Sequence, residues 1–260
     1  MVSKLIDKQA SNRESGPVLE LRAVSKNFGG VRALHDVDFD VRVNEILCVV
    51  GDNGAGKSTL IKIIAGVHQP SEGEIRMNDR IIKIPSPRAA RELGIETVYQ
   101  ELALVDNLDV VENIFLGRTT TRFRWFIDRK HMIAEARAIL ERLNIAIPSL
   151  TDPIENLSGG QRQALAISRA LAWGGRIVIL DEPTAALGVK ETAKVLNLIK
   201  QLKSHGVAVI VISHNMRDVF DISDRILVLR GGRRMGMLNR ESTDINEVVK
   251  LITGYEPPVN

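Results

Sequence analysis

The stretch EILCVVGDNGAGKSTLIKIIAG, residues 45–66, decides the fold of this chain. Its apolar start has the length of a β-strand, and its end has the apolar spacing of a helix. The letters between them match the phosphate-binding pattern G-x-x-x-x-G-K-[ST]. Glycines let the backbone curl so that successive N–H groups point at phosphate oxygens, and the helix N-terminus adds positive potential. The stretch therefore predicts a strand–loop–helix unit that binds the phosphates of a nucleotide.

Two residues of this loop have separate predicted roles. Lys57 is expected to reach the β- and γ-phosphates, and Ser58 is expected to ligate Mg²⁺. A glycine turn that binds nothing is the alternative, and the flanking strand and helix argue against it. The residues predicted to line the nucleotide are Gly51, Asp52, Asn53, Gly54, Ala55, Gly56, Lys57, Ser58 and Thr59.

Composition narrows the class of protein. With 260 residues, 44% of them hydrophobic, the chain suits one large domain or two small lobes that share a core. A formal net charge of +3 is too small to indicate a nucleic-acid partner. The single cysteine, Cys48, lies in an apolar run and is interpreted as a buried core thiol. We see neither a signal peptide nor a membrane span, so we expect a soluble protein of a reducing compartment.

The order of apolar and polar segments predicts the fold class. Continuous apolar strands alternate with helical patterns, which favours an α/β fold: a P-loop NTPase core with a mainly parallel sheet covered on both faces. Early hairpin-like strands, with a turn at Asn78–Asp79, predict an antiparallel β annex. The middle third has helical spacing and predicts a helical lobe at about 101–172, which carries the segment LSGGQ. The segment IETVYQ is expected to be a strand that ends at Gln100, and STDINEVVKLITG to be a last helix capped by Thr243 or Ser242.

Two further strand ends carry candidate catalytic groups. In IVILDEP, residues 177–183, Asp181 follows a buried strand, where open α/β sheets bind ligands, and it is predicted to hold Mg²⁺ through water. Glu182 is free to polarise an attacking water as general base. His214 ends another apolar strand and is expected to donate a hydrogen bond to a γ-phosphate or to that water. The other four histidines are interpreted as surface or turn residues: His35, His68, His131 and His205.

The segment LSGGQ, residues 157–161, raises the question of a second anion site. A helix from Gly160 to Ala172 spans about 20 Å and turns back into the strand that ends at Asp181. Because helix and strand are antiparallel, Ser158 is expected to return to the edge where Asp181 emerges. Its hydroxyl and the glycine N–H groups then face the same way as the P-loop. Spacing alone leaves open whose phosphate they meet.

The P-loop, Gln100, LSGGQRQ, ILDEPT and ISH, in that order, resemble the ATP-binding cassette of ABC transporters over about residues 18–240. The resemblance implies that the cofactors are ATP and Mg²⁺, and that two chains close head to tail around two nucleotides. It implies that Phe28 stacks on adenine. It also implies that Gln100 touches Mg²⁺ and starts the loop that contacts a membrane subunit. The residues it assigns to the partner's ATP are Ser158, Gly159, Gly160 and Gln161.

The stretch VYQELALVDNLDVVENIFLGR, residues 98–118, is similar to cassettes of carbohydrate importers. This implies a peripheral subunit on the cytoplasmic side of the inner membrane that powers sugar import through separate permease subunits. A periplasmic or extracellular sugar-binding protein would be an indirect partner. Two alternatives stay open: an exporter cassette for lipid or drug, and a nucleotide-gated clamp on ribosome or DNA. With one cassette and no long arm, no nucleic-acid partner is expected.

Expected boundaries are a polar arm at 1–16, a single ABC ATPase domain at 17–254 and a tail at 255–260. Two features depart from the family pattern. Gly188 stands where cassettes commonly have an aspartate that helps the two sites sense each other, which puts the coupling between sites in question. The basic segment 118–130 contains Phe123, Trp125 and Phe126. It is interpreted as a solvated loop before a helix opened by Asp128, with contact to RNA or lipid headgroups as the alternative.

Overall fold

A computed structural model describes residues 16–118, 121–122 and 126–254 of the chain. The strands are β1 (Leu19–Phe28), β2 (Val31–Val41), β3 (Ile46–Val50), β4 (Glu72–Met77), β5 (Arg80–Ile82), β6 (Ile95–Val98), β7 (Thr121–Arg122), β8 (Phe126–Ile127), β9 (Ile177–Asp181), β10 (Ala208–Ile212), β11 (Arg225–Arg230) and β12 (Arg233–Asn239). The α-helices are α1 (Lys57–Ile64), α2 (Pro87–Glu92), α3 (Val110–Ile114), α4 (Arg129–Arg142), α5 (Gly159–Ala172), α6 (Val189–Ser204), α7 (Met216–Ile222) and α8 (Ile245–Thr253). Short 3₁₀ turns lie at Ile154–Asn156 and Arg240–Ser242.

The central sheet has the strand order β12-β11-β3-β10-β9-β6, and only β12 is paired antiparallel. The position of strand β3 in the middle of this sheet explains why its sequence is apolar throughout. Leu47 and Val49 pack into the core on one face, whereas Ile46, Cys48 and Val50 pack into the core on the other. A strand buried on both faces cannot alternate with polar residues. The predicted α/β fold with a mainly parallel sheet is confirmed.

The antiparallel sheet, in the order β2-β1-β4-β5, covers one face of the central sheet together with α1. Leu21 and Phe39 from this sheet share a core with Ile61 and Ile63 of α1. Its β4–β5 turn falls at Asn78–Asp79, with φ of 48° and 63°, the left-handed values that a tight two-residue hairpin needs. The predicted annex and its turn are therefore present.

Helices α5, α6, α7 and α8 cover the opposite face of the central sheet. Cys48 is completely buried there, and burial raises the pKa of its thiol well above the usual range. This is the environment of a core thiol rather than a reactive one. None of the helices within the described residues is long and apolar enough to span a membrane.

The middle of the chain has a hydrophobic core of its own. Val111 and Ile114 of α3, Met132 and Leu140 of α4, and Leu165 of α5 pack together in this core. Helix α5 also sends side chains into the core beneath the central sheet, so it joins the two cores. Asp128 caps α4 as expected, accepting a hydrogen bond from the His131 N–H at 3.1 Å.

Three details differ from the sequence expectations. The strand before Gln100 ends two residues earlier, at Val98, and α5 begins at Gly159 rather than Gly160. The last helix is capped by Asp244, not by Ser242 or Thr243. The Asp244 carboxylate accepts from the Glu247 N–H at 2.8 Å because it directly precedes the first helical residue. In the basic segment, Phe123 and Trp125 lie outside the described residues.

Candidate nucleotide site

Two glycines of the P-loop are required by its close packing. At Gly51, φ is 151°, and a Cβ would lie 2.2 Å from the carbonyl oxygen of Leu229 on β11. At Gly56, φ is 101°, and a Cβ would lie 2.7 Å from Leu34 on β2. Both values lie in the backbone region that favours glycine. The loop is therefore shaped by the two strands beside it before any nucleotide binds.

The P-loop lysine is folded back over this loop. Lys57 Nζ donates to the carbonyl oxygens of Gly51 at 2.6 Å and Asp52 at 2.9 Å. Burial lowers the pKa of Lys57, while the charges of Glu182, Asp52 and Asp181 act in the opposite direction. Helix α1 begins here without a side-chain cap, so its first N–H groups remain available to an anion. Ser58 and Thr59 follow in this first turn.

Strand pairing brings the predicted carboxylates to the same edge of the sheet. Strand β10 lies between β3 and β9, with Ile212 opposite both Val49 and Asp181. The pKa of Asp181 is raised by burial first and by the charge of Glu182 second, and Lys57 opposes this rise. Two carboxylates and a lysine thus share this edge of the sheet.

Glu182 and His214 are in direct contact. His214 Nδ1 lies 2.9 Å from Glu182 Oε1, and the histidine side chain is 75% exposed whereas the glutamate is 17% exposed. Glu182 has a φ of 50°, and its N–H donates to the Ile212 carbonyl at 3.0 Å. A positive φ strains a non-glycine residue, and such strained residues cluster at active sites as well as in turns. The pair can orient one carboxylate oxygen and leave the other for a water.

The sequence did not predict the hydrogen bonds that hold the turn after Glu182. Thr184 Oγ1 donates to Asp218 Oδ2 of α7 at 2.7 Å, and Asp218 is buried. The Ala185 N–H donates to the Glu182 carbonyl at 3.1 Å. These bonds fix the backbone that follows the candidate base. No periodic signal relates Thr184 to Asp218, since the two residues lie on different elements.

The predicted magnesium ligands have the right chemistry. Ser58, Gln100 and Asp181 offer hydroxyl, amide and carboxylate oxygens, and Mg²⁺ takes oxygen ligands. Gln100 is exposed two residues beyond β6, whose Val98 pairs with Leu180, so it lies at the edge where Asp181 emerges. Over the described part of the chain, no three His, Cys, Asp or Glu side chains cluster to hold a metal. The oxygen donors of Ser58, Gln100 and Asp181 fit Mg²⁺ that keeps other oxygen ligands, such as nucleotide phosphates.

Phe28 is an exposed aromatic ring with two neighbours. Its side chain is 43% exposed at the end of β1, and Lys26 Nζ lies 5.1 Å from its centroid. The His68 ring meets it edge-on, with centroids 5.1 Å apart and planes at 73°. Interpreting His68 as a plain surface or turn residue overlooked this contact. The exposed area leaves room for a planar ligand to stack.

The LSGGQ turn is an exposed, self-capped helix start. Ser158 Oγ accepts from the Gln161 N–H at 3.3 Å, and Gln161 Oε1 accepts from the Ser158 N–H at 2.9 Å, which is a capping box. A Cβ on Gly159 would lie 3.1 Å from Leu187 Cδ2. The turn therefore lies against the chain that leaves Asp181, while Ser158 and Gly159 are exposed to solvent.

A P-loop beside a strand-end carboxylate pair and a strand-end histidine defines a P-loop nucleoside triphosphatase. Within that class, the chain belongs to the ABC transporter family, whose family model matches residues 34–185. It is 46% identical over 249 residues to the fructose import ATP-binding protein FrcA of Rhizobium meliloti, covering 93% of this chain and 96% of the relative. It is 43% identical to the xylose/arabinose import ATP-binding protein XylG of Sulfolobus acidocaldarius, covering 92% and 94%.

Other relatives are about twice as long as the region they share with this chain. The ribose import ATP-binding protein RbsA of Yersinia pestis is 42% identical over 92% of this chain, which spans 46% of that relative. Among solved structures, a nucleotide-free ATP-binding cassette from an ABC transporter superimposes with a TM-score of 0.79 at 25% identity, covering 92% of this chain and 96% of that one. The dimeric post-hydrolysis state of the cassette MJ0796 bound to ADP and Pi gives 0.71 at 27% identity, covering 86% and 100%.

Proposed function

We propose that this chain is the ATP-hydrolysing subunit of a sugar importer. The observation that carries the hydrolytic role is the 2.9 Å contact between Glu182 and His214, at the sheet edge that also holds the P-loop lysine. The names of the relatives support the transport role, since they are import ATP-binding proteins for fructose, xylose or arabinose, and ribose. Which sugar is moved would be decided by other subunits.

In this mechanism the triphosphate lies in the loop Gly51–Thr59. Lys57 exchanges its two backbone carbonyl partners for β- and γ-phosphate oxygens. Ser58, Gln100 and Asp181 would hold Mg²⁺, which when bound neutralises charge on the phosphates. Phe28 stacks on the adenine.

Glu182 acts as the general base. Its free carboxylate oxygen accepts a proton from the attacking water, and His214 holds the other oxygen in place. General-base catalysis of this kind contributes about 10²–10⁴ in rate. The hydrogen bond between Thr184 and Asp218 keeps the turn after Glu182 from drifting away from the phosphate.

Two copies form the active unit in this proposal. Helix geometry leaves the N–H groups of Gly159 and Gly160 without helical partners, and they start a helix that favours an anion. With Ser158 exposed, this turn is available to the ATP held by a second copy. The dimeric cassette that resembles this chain supports the arrangement. A heterodimer with another cassette is the alternative.

Permease subunits are the proposed membrane partners. Tyr99, beside Gln100, is 38% exposed, and Leu116, beyond α3, is 39% exposed. Arg118 follows Leu116 by two residues, and its guanidinium lies 4.9 Å from the Trp173 ring centroid. A mixed apolar and basic surface between the sheet edge and the helical core suits a docked segment of another subunit.

The remaining parts of the proposal concern location and distant partners. The chain would sit peripherally on the cytoplasmic side of the inner membrane, and a periplasmic or extracellular sugar-binding protein would deliver substrate to the permease. An exporter cassette and a nucleotide-gated clamp on ribosome or DNA are the rival functions. The relatives named above favour import over both.

Reconstitution tests the proposal. The chain is pulled down from membranes, the copurified permease is identified, and both are placed in vesicles with a panel of radiolabelled sugars. We expect uptake of one sugar that requires ATP and disappears with Glu182→Gln. ATP-driven efflux of a lipophilic substrate, or ATPase activity that depends on RNA, would contradict it.

A further inference from the structure

The glycines of the LSGGQ turn are explained by packing inside one chain. Neither Gly159 nor Gly160 has a positive φ, so the backbone conformation does not demand glycine. A Cβ on Gly160 would lie 3.0 Å from Cβ and 3.2 Å from Cγ of Glu191, closer than the ordinary 3.5–4.0 Å or so between carbon atoms. Glu191 therefore occupies the space that a side chain at position 160 would need.

Glu191 is held in this place by a second contact. It lies in the first turn of α6, and its Oε2 accepts a hydrogen bond from the Gly188 N–H at 3.4 Å. Gly188 stands at the N-cap and has no side chain with which to cap the helix. Glu191 reaches back and supplies an acceptor instead, and its negative charge is favourable at a helix N-terminus.

A short, bonded segment joins Glu191 to the candidate base. After Glu182, the Ala185 N–H bonds back to the Glu182 carbonyl and the Leu187 N–H bonds to the Thr184 carbonyl. Leu187 then touches the Gly159 position, and Glu191 touches the Gly160 position. Both glycines of the LSGGQ turn thus pack against the segment that follows Glu182 in the sequence.

We propose that Glu191 is a positioning residue that sets the turn Ser158–Gln161 relative to the Glu182 segment. The inference rests on the proposed ATP-driven pairing of two copies. It assigns to Glu191 the orientation of this turn toward the ATP of the second copy. Gly160 is small because it must admit Glu191, and Glu191 takes over the capping that Gly188 cannot provide. A movement of the Glu182 segment is thereby passed to the turn that contacts the other copy.

A double-mutant cycle tests the contact. Gly160→Ala, Glu191→Gly and the double variant are made in a Glu182→Gln parent, and the ATP-dependent dimer is measured by light scattering. The same samples are assayed for binding of fluorescent ADP by the separated chains. We expect Gly160→Ala to weaken dimerisation about tenfold and the double variant to dimerise better than that single variant. ADP binding should not change, because the P-loop is untouched.

Substitutions at Glu191 alone separate its roles. Glu191→Ala should weaken dimerisation about fivefold, the size of a lost helix cap. Glu191→Gln should dimerise nearly as well as the parent, because the amide oxygen still accepts from Gly188 and only the favourable charge is lost. Lys194→Ala, an exposed position on the same helix, is the matched control and should match the parent.

Distinct results overturn this inference and the proposed function. If the double variant dimerises no better than Gly160→Ala, glycine is required by the nucleotide rather than by Glu191, and the inference is wrong. Equal loss in Glu191→Ala and Glu191→Gln, or a parallel loss of ADP binding, would also overturn it. If the parent itself forms no dimer with ATP, the proposed pairing fails first.

Discussion

Glu96 offers a quantitative test of the described packing. It lies on β6, its side chain is 6% exposed, and its closest cation is Arg118, at 3.8 Å from Nη2 to Glu96 Oε1. That oxygen has no hydrogen-bond partner among the described residues. Burial raises the pKa of Glu96 from 4.5 to about 7, and the charges of Arg118, Arg91 and Arg169 only partly oppose the rise.

The sign of the pH effect follows from these two values. The folded protein keeps Glu96 protonated up to about pH 7, whereas the unfolded chain ionises it near 4.5. Between pH 4.5 and about pH 7 the unfolded state binds fewer protons than the folded state, so the free energy of unfolding falls as pH rises. The full shift corresponds to about 3 kcal/mol, and partial solvation near the exposed arginines reduces this to about 1–3 kcal/mol.

Urea unfolding of wild type and Glu96→Gln between pH 5 and pH 8 measures this contribution. The variant should gain stability relative to wild type as pH rises, by about 1–3 kcal/mol between pH 5 and pH 8. Taking the difference between the two proteins cancels the contribution of every other ionisable group. Glu92→Gln, at an exposed position on α2, is the matched control for the loss of one carboxylate. A Glu96→Gln difference that stays constant across this range would refute the reasoning.

Three further predictions concern the P-loop, the residue proposed to stack on adenine, and the cap of the last helix. Gly51→Ala should abolish ATP binding in a fluorescence titration, because the added Cβ meets the backbone oxygen of Leu229. The control Gly174→Ala, at φ of 80° with open space around it, should keep ATP binding. Equal losses of binding in the two variants would contradict the steric argument. Phe28→Ala should weaken ATP binding by about 1–3 kcal/mol while Phe28→Trp retains it; an equal loss of tripolyphosphate binding would argue against stacking. Asp244→Ala should lower the free energy of unfolding, measured in urea, by about 1 kcal/mol, whereas Ser242→Ala should not. A loss of stability in Ser242→Ala alone would show that Ser242, not Asp244, caps the last helix.

Local signals in the sequence predicted most of the fold. The apolar runs of β3, β9 and β10 and the turn at Asn78–Asp79 depend on neighbours along the chain, so periodicity and turn chemistry were sufficient. The cap of α8 was mispredicted because three successive residues, 242–244, all have suitable side chains. Only the position of the first helical residue selects Asp244.

The candidate site was predictable where a motif names its residues and not where distant elements meet. The edge that gathers Lys57, Asp181, Glu182 and His214 follows from strand ends in a parallel sheet. The contacts of His68 with Phe28 and of Glu191 with the Gly160 position join separate elements. Such pairs share no period or spacing, so only the packed structure brings them to notice.

Turnover by Glu182→Gln tests the central claim most directly, since it removes the base and keeps the shape of the site. Purified wild type and variant are given ATP, and both phosphate release and the fraction of dimer are measured in the same samples. The account predicts that the variant binds ATP as wild type does, accumulates as a dimer and releases phosphate at least about 10²-fold more slowly. Phosphate release at the wild-type rate would contradict it.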